Sequence, residues 1–129
     1  MILNPRLIDY LWKVNDMYKV LICDDEADIR GALDIYMRAA GYETVLCGSG
    51  QEALDAVAAG GVHLVLLDIM MPVMDGITAL SRIRAVSNVP VILLTAKSED
   101  TDKILGLDVG ADDYITKPFN PVEVQARVR

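Results

Sequence analysis

The chain has 129 residues, 53% of them hydrophobic and 24% charged, with a net charge of −7. That balance suits one globular domain with a real core, and the negative charge disfavours direct binding to nucleic acid. No apolar run approaches the ~20 residues that span a bilayer, and the first residues mix Asp and Arg into an apolar stretch instead of following a signal peptide's plan, so neither membrane insertion nor secretion is expected. Residues 1 to 16 stand apart from the rest of the chain. Leu3, Leu7, Ile8, Leu11 and Trp12 could form one apolar helical face, and three readings stay open: a vector-derived tag or mis-started segment, a packing extension, or a partner-binding helix.

From Tyr18 onward, short runs rich in Val, Ile and Leu alternate with longer stretches of helical period, the pattern of a parallel sheet wrapped by helices. The strand candidates are Lys19 to Cys23, Glu43 to Cys47, Leu64 to Leu67, Val91 to Leu94 and Tyr114 to Thr116. The first, third and fourth are nearly continuous apolar runs, as strands covered on both faces should be. Ile29, Leu33, Tyr36 and Met37 recur at helical spacing, and Gly41 is a natural left-handed cap for that first helix. A second helix is expected at Gln51 to Ala59. A third runs from Gly76 to Arg84, with Ile77, Leu80 and Ile83 inward and Pro90 blocking helix before the fourth strand. A fourth is expected near Asp100 to Val109, ending at Gly110, and a fifth starts at Pro121 and is still in pattern at Arg129. A helix without a stop signal at that point leads to the expectation that the natural protein continues. Cys23 and Cys47 sit in apolar runs and read as buried reduced thiols, which favours the cytoplasm; His63, with no nucleophile beside it, reads as a loop residue.

The chemistry lies where the strands end: Asp24 and Asp25 after the first, Asp68 after the third, Thr95 after the fourth and Lys117 after the fifth. Ligands of open parallel sheets bind at the carboxyl ends of the strands, in the crevice where the winding reverses. In a flavodoxin-like (βα)5 doubly wound sheet of order 2-1-3-4-5, that crevice falls between strands one and three, beside the three aspartates. Carboxylates brought so close either take up a proton or share a cation, and an all-oxygen set suits Mg²⁺. A carboxylate beside such a cation can be a nucleophile toward a phosphoryl donor, while Lys117 and Thr95 can contact phosphoryl oxygens. The plain reading of any one aspartate is a loop residue or helix cap, as Asp25 could be for the first helix. A stable sheet has no need of the full set of five.

The runs CDDE (Cys23 to Glu26), LLDIMMPVMDG (Leu66 to Gly76), LLTA (Leu93 to Ala96) and DDYITKPF (Asp112 to Phe119) resemble the receiver domains of bacterial two-component response regulators. The resemblance covers residues 17 to 129. It implies that Asp68 accepts a phosphoryl group from the phosphohistidine of a sensor histidine kinase, with Mg²⁺ held by Asp25, Asp68 and the Met70 backbone carbonyl, and by Asp24 mainly through water. Thr95 and Lys117 would read the phosphoryl group, Tyr114 would follow Thr95 inward as a switch, and Lys117-Pro118 would be cis. Met70 and Lys97 stand where this family tunes the lifetime of the phosphoryl group. Such a chain is a phosphoacceptor that assists its own phosphorylation and dephosphorylation, and is not an enzyme in the usual sense.

The stretch from Asp102 to Arg129 further resembles the OmpR/PhoB subfamily, whose receivers pair as homodimers through the fourth helix, fifth strand and fifth helix. The matching charges are Lys103 with Glu123, Asp108 with Arg129 and Asp113 with Arg127, around Ile104 and Leu107. Exposed pairs contribute little one by one, about 0 to 1 kcal/mol, but a two-fold axis doubles each. An ordinary solvated helix surface is the alternative. That subfamily carries a C-terminal winged-helix domain, so DNA would be reached, and transcription regulated, only through a segment beyond this sequence. Other classes fit less well. A phosphatase of the haloacid dehalogenase type needs a second acid two residues after its nucleophile, where Met70 stands, and a flavin module needs a Ser- and Thr-rich loop after the first strand. The intact acidic set argues against a degenerate receiver, and the end at Arg129 argues more weakly against a stand-alone one.

Overall fold

The computed structural model describes residues 18–96 and 109–128. Five parallel strands form one sheet in the order β2-β1-β3-β4-β5, with β1 Lys19–Cys23, β2 Glu43–Cys47, β3 Leu64–Asp68, β4 Val91–Ala96 and β5 Asp113–Lys117. The helices are α1 Ala27–Ala39, α2 Gly50–Ala58, α3 Gly76–Arg84 and, at the position expected for the fifth helix, α4 Pro121–Val128. The expected sheet order therefore holds. β4 and β5 run further toward the site than their apolar runs suggest, because Thr95, Ala96 and Lys117 stay in the ladder. The helix expected near Asp100 to Val109 lies, except for its last residue, outside the described residues, as do residues 1 to 16.

Side chains alternate across the sheet with period two, and the core divides accordingly. Leu21, Cys23, Val65, Leu67, Val91 and Leu93 face one layer, where they meet Ala53 and Val57 of α2 and Ala79, Leu80 and Ile83 of α3. Val20, Ile22, Leu66, Ile92, Leu94 and Ile115 face the other, against Leu33 and Met37 of α1 and Val124 of α4. Ile77 packs only half-buried at the margin of the first layer. Covering both faces is why β1, β3 and β4 need uninterrupted apolar sequence.

Capping explains several boundaries. The Ser49 hydroxyl accepts from the Glu52 N–H at the start of α2, one residue earlier than the periodicity indicated. The Asp75 carboxylate accepts from the Thr78 N–H at 2.7 Å to open α3, and Asn120 does the same for Glu123 at the start of α4. At the other end of α1, Gly41 takes φ +95°, the left-handed conformation its place predicted. Asp25 is not the cap of α1. That place belongs to Glu26, whose side chain makes no capping bond, and the Glu26 N–H is instead taken by Asp24 Oδ1 at 2.9 Å.

Candidate functional site

At the carboxyl edge of the sheet, β1 and β3 deliver acids from adjacent strands. Asp24 follows β1 and is fully buried, Asp68 is the last residue of β3 at 2% exposure, and Asp25 is exposed on the loop into α1. Each offers a carboxylate oxygen, and the three oxygens lie within 4.8 Å of one another. Lys117, at the end of β5, reaches across with its Nζ 2.9 Å from Asp24 Oδ2 and 3.1 Å from Asp68 Oδ1. One ammonium thus serves two buried carboxylates, and among the described residues no hydrogen bond or ion pair engages the third.

That shortfall is visible in the acid–base behaviour. Burial, then the charge of Asp24, pushes the Asp68 carboxyl up to about 6 despite the opposing pull of Lys117 and the N–H of Met70. Burial disfavours the Lys117 ammonium, but its hydrogen bonds to Asp24 and Asp68 and their charges more than offset this and leave it raised. Three hard oxygen donors with too little positive charge among them are the donor set that a small divalent cation such as Mg²⁺ completes.

The structure gathers some of the residues singled out from the sequence and leaves others apart. Asp24, Asp25, Asp68 and Lys117 converge. Thr95 is buried on β4, beside Thr116 in the ladder, and its hydroxyl donates to the Ala96 carbonyl at 3.3 Å. Tyr114 is half-buried on β5 and packs on the α2–α3 side of the sheet. Met70 is 61% exposed, and its N–H donates to Asp68 Oδ1 at 3.3 Å. Lys117-Pro118 is cis. Cys23 and Cys47 are free, buried neighbours on β1 and β2, and burial pushes the Cys23 thiol up to about 12, so it is unreactive. His63 sits in the loop before β3, where its Nδ1 accepts from the Lys19 N–H at 3.0 Å.

Of the charge pairs expected to meet across a dimer, Asp113 and Arg127 meet within one chain. The guanidinium donates to both carboxylate oxygens at 2.9 and 3.2 Å, because β5 and α4 are neighbours in the same molecule. Glu123 is half-buried on α4. Lys97, Lys103, Ile104, Leu107, Asp108 and Arg129 lie outside the described residues.

Two residues at the site were not singled out from the sequence. A Cβ on Gly76 would stand 2.1 Å from the Asp68 carbonyl oxygen and 2.7 Å from the Ile69 Cα, so only glycine lets α3 start against the end of β3. The Asp-Gly pair at Asp75 and Gly76, just before a helical pattern, was the available signal. Arg30, in the first turn of α1, donates from Nη1 to the Asp24 carbonyl at 2.7 Å, and nothing local in the sequence distinguishes it from a solvated helix arginine.

A doubly wound sheet with acids at the ends of its two central strands and a lysine reaching in from the edge defines a class of phosphate-handling α/β domains. The chain belongs to the response regulator receiver domain family, whose model matches residues 20–129. It is 48% identical over 111 residues to the DNA-binding response regulator MtrA of Mycobacterium tuberculosis, covering 86% of this chain and 49% of MtrA. Its fold matches the receiver domain of the sensor histidine kinase PA1611 from Pseudomonas aeruginosa, solved with a magnesium ion coordinated in the active site cleft, at TM-score 0.80 and 30% identity over 87% of this chain and 94% of that one. It also matches, at TM-score 0.81 and 30% identity over 87% and 86%, the Saccharomyces cerevisiae co-crystal structure of the histidine phosphotransfer protein Ypd1 with the receiver domain of its downstream response regulator Ssk1. The chain spans about half the length of the curated relatives it matches. No helix among the described residues is long and apolar enough to cross a membrane.

Proposed function

We propose that Asp68 is the phosphoacceptor of this receiver, taking a phosphoryl group from a phosphohistidine on a sensor histidine kinase or a phosphotransfer protein. The observation that carries this is the geometry of Lys117, whose ammonium touches Asp24 and Asp68 together, the two acids that form a close triad with Asp25. In the transfer, an Asp68 carboxylate oxygen forms a bond to phosphorus as the phosphorus–nitrogen bond of the phosphohistidine breaks, and the histidine keeps the electron pair and recovers a proton. Lys117 supplies a fixed positive charge for the phosphoryl oxygens, and the Thr95 hydroxyl, which donates to the Ala96 carbonyl at 3.3 Å, would turn to donate to them. Mg²⁺, held by Asp25, Asp68 and the Met70 carbonyl and through water by Asp24, would screen the charge shared by acceptor and donor when bound. The magnesium in the PA1611 receiver supports that assignment. The domain is a phosphoacceptor and not a turnover enzyme.

Phosphorylation shifts Thr95 and Tyr114 and promotes a homodimer through the fourth helix, β5 and α4, with Lys103, Ile104, Leu107, Asp108, Asp113, Glu123, Arg127 and Arg129 at the interface. Because Asp113 already holds Arg127 within the chain, dimerisation would share or exchange that pair. In a parent protein of the MtrA type, the dimer would set the spacing of DNA-binding domains and so regulate transcription in the cytoplasm. Incubation with Mg²⁺ and acetyl phosphate, followed by intact mass, tests the core of this reading. A single phosphoryl increment is expected that requires Mg²⁺ and vanishes in Asp68→Asn; a folded wild-type chain that gains none would overturn it.

A further inference from the structure

Among the described residues, no hydrogen bond or ion pair holds the Asp25 carboxylate, although it is one corner of the acidic triad. Its place is therefore set by the backbone that carries it. That backbone is held from two sides. The Asp24 N–H donates to the Cys47 carbonyl of β2 at 3.1 Å, and the Asp24 carbonyl accepts from Arg30 Nη1 at 2.7 Å. The Asp24–Asp25 peptide is planar, so holding its oxygen also fixes the Asp25 N–H and the direction in which the Asp25 Cα leaves the strand. Arg30 is placed for this by the first turn of α1, where its own N–H donates to the Glu26 carbonyl at 3.0 Å. Gly48 keeps the lane open, since a Cβ there would come within 3.2 Å of Arg30 Nη1.

We infer that Arg30 is a positioning residue for the cation site: by clamping the Asp24 carbonyl from α1, it orients the Asp25 carboxylate toward Asp24 and Asp68 before any cation arrives. This rests on the reading of the triad as the Mg²⁺ site. A charge-assisted bond in a half-buried setting is among the stronger single hydrogen bonds, and it acts on the peptide that leads into Asp25, whose carboxylate has no hydrogen bond or ion pair among the described residues. Groups that orient metal ligands from outside the ligand set change metal affinity by about 10- to 100-fold when removed, and the lower end fits a residue acting through one peptide. A guanidinium near a dication also repels it, so the two effects on affinity have opposite sign and the experiment decides between them.

The test is a calorimetric titration of the chain with MgCl₂, comparing wild type with Arg30→Met, Arg30→Lys and Arg84→Met. Arg84 makes a comparable clasp at the opposite end of the sheet, donating to the Gly110 and Val89 carbonyls and to Asp112, and reports on stability alone. Arg30→Met should weaken Mg²⁺ binding about tenfold, Arg30→Lys should recover part of it, and Arg84→Met should lower Tm while leaving the affinity alone. At saturating Mg²⁺ the phosphorylation rate of Arg30→Met should return to that of wild type. An Arg30→Met chain that binds Mg²⁺ as tightly as wild type, or tighter, overturns the positioning role while the receiver reading stands. A folded wild type that binds no Mg²⁺ overturns both.

Discussion

In the metal-free protein, replacing the proposed phosphoacceptor should stabilise the fold. Asp68 is all but inaccessible, Asp24 beside it is fully buried, and the two share the single ammonium of Lys117. The net result is a carboxyl raised from its ordinary value of 3.8 to about 6, chiefly by burial and then by Asp24. A group whose folded pKa lies above its unfolded one stabilises the fold while it is protonated, and that stability is lost as pH rises through the folded pKa. The loss should therefore run from about pH 4 to just above pH 6, and the gap is equivalent to about 3 kcal/mol at 1.36 kcal/mol per pH unit. Asp68→Asn keeps the shape and an acceptor for Lys117 and Met70 while removing the charge. At pH 7.5 in EDTA it should be more stable than wild type by about 1 to 3 kcal/mol, or roughly 4 °C in Tm per kcal/mol for a domain of this size. Urea denaturation at pH 7.5 and pH 4.5 measures the difference, which should shrink at the lower pH as the wild-type carboxyl protonates. A mutant less stable than wild type at pH 7.5, or an advantage independent of pH, would refute the argument that the triad is held together against its own repulsion.

The same geometry makes two other substitutions informative. Lys117→Met strips both buried acids of their counter-ion and should cost about 3 to 5 kcal/mol at pH 7.5 in EDTA, with much of the loss recovered at pH 4.5; equal losses at both pH values would contradict the charge argument. Gly76→Ala places a methyl into the backbone of Asp68 and Ile69, where nothing flexible can yield. It should cost about 3 kcal/mol or more in urea denaturation, and abolish labelling by acetyl phosphate even where the chain folds; wild-type stability would disprove the close approach of α3 to β3.

The layered sheet was legible in the sequence because its determinants are local. Apolar runs at β1, β3 and β4, the helical spacing of Leu33 and Met37, Gly41 at a left-handed cap and Pro121 at a first helical turn each state their own conformation. The polar residues at the strand ends could be gathered into one site because a parallel sheet turns that end of every strand toward the same edge. Partner choice was not legible, since it depends on register and reach between distant segments. Which neighbouring aspartate is buried, Asp24 or Asp25, is decided by how β1 leaves the sheet. Lys117 and Asp24 are 93 residues apart and meet only because β5 and β1 present their ends to one crevice. That Asp113 and Arg127 also pair within one chain could not be read from the sequence, because it depends on where the fold places the start of β5 relative to α4. Arg30 and Gly76 acquire their roles only through a carbonyl and a backbone atom supplied by the fold, and a backbone contact leaves no trace in the identity of the residue that makes it.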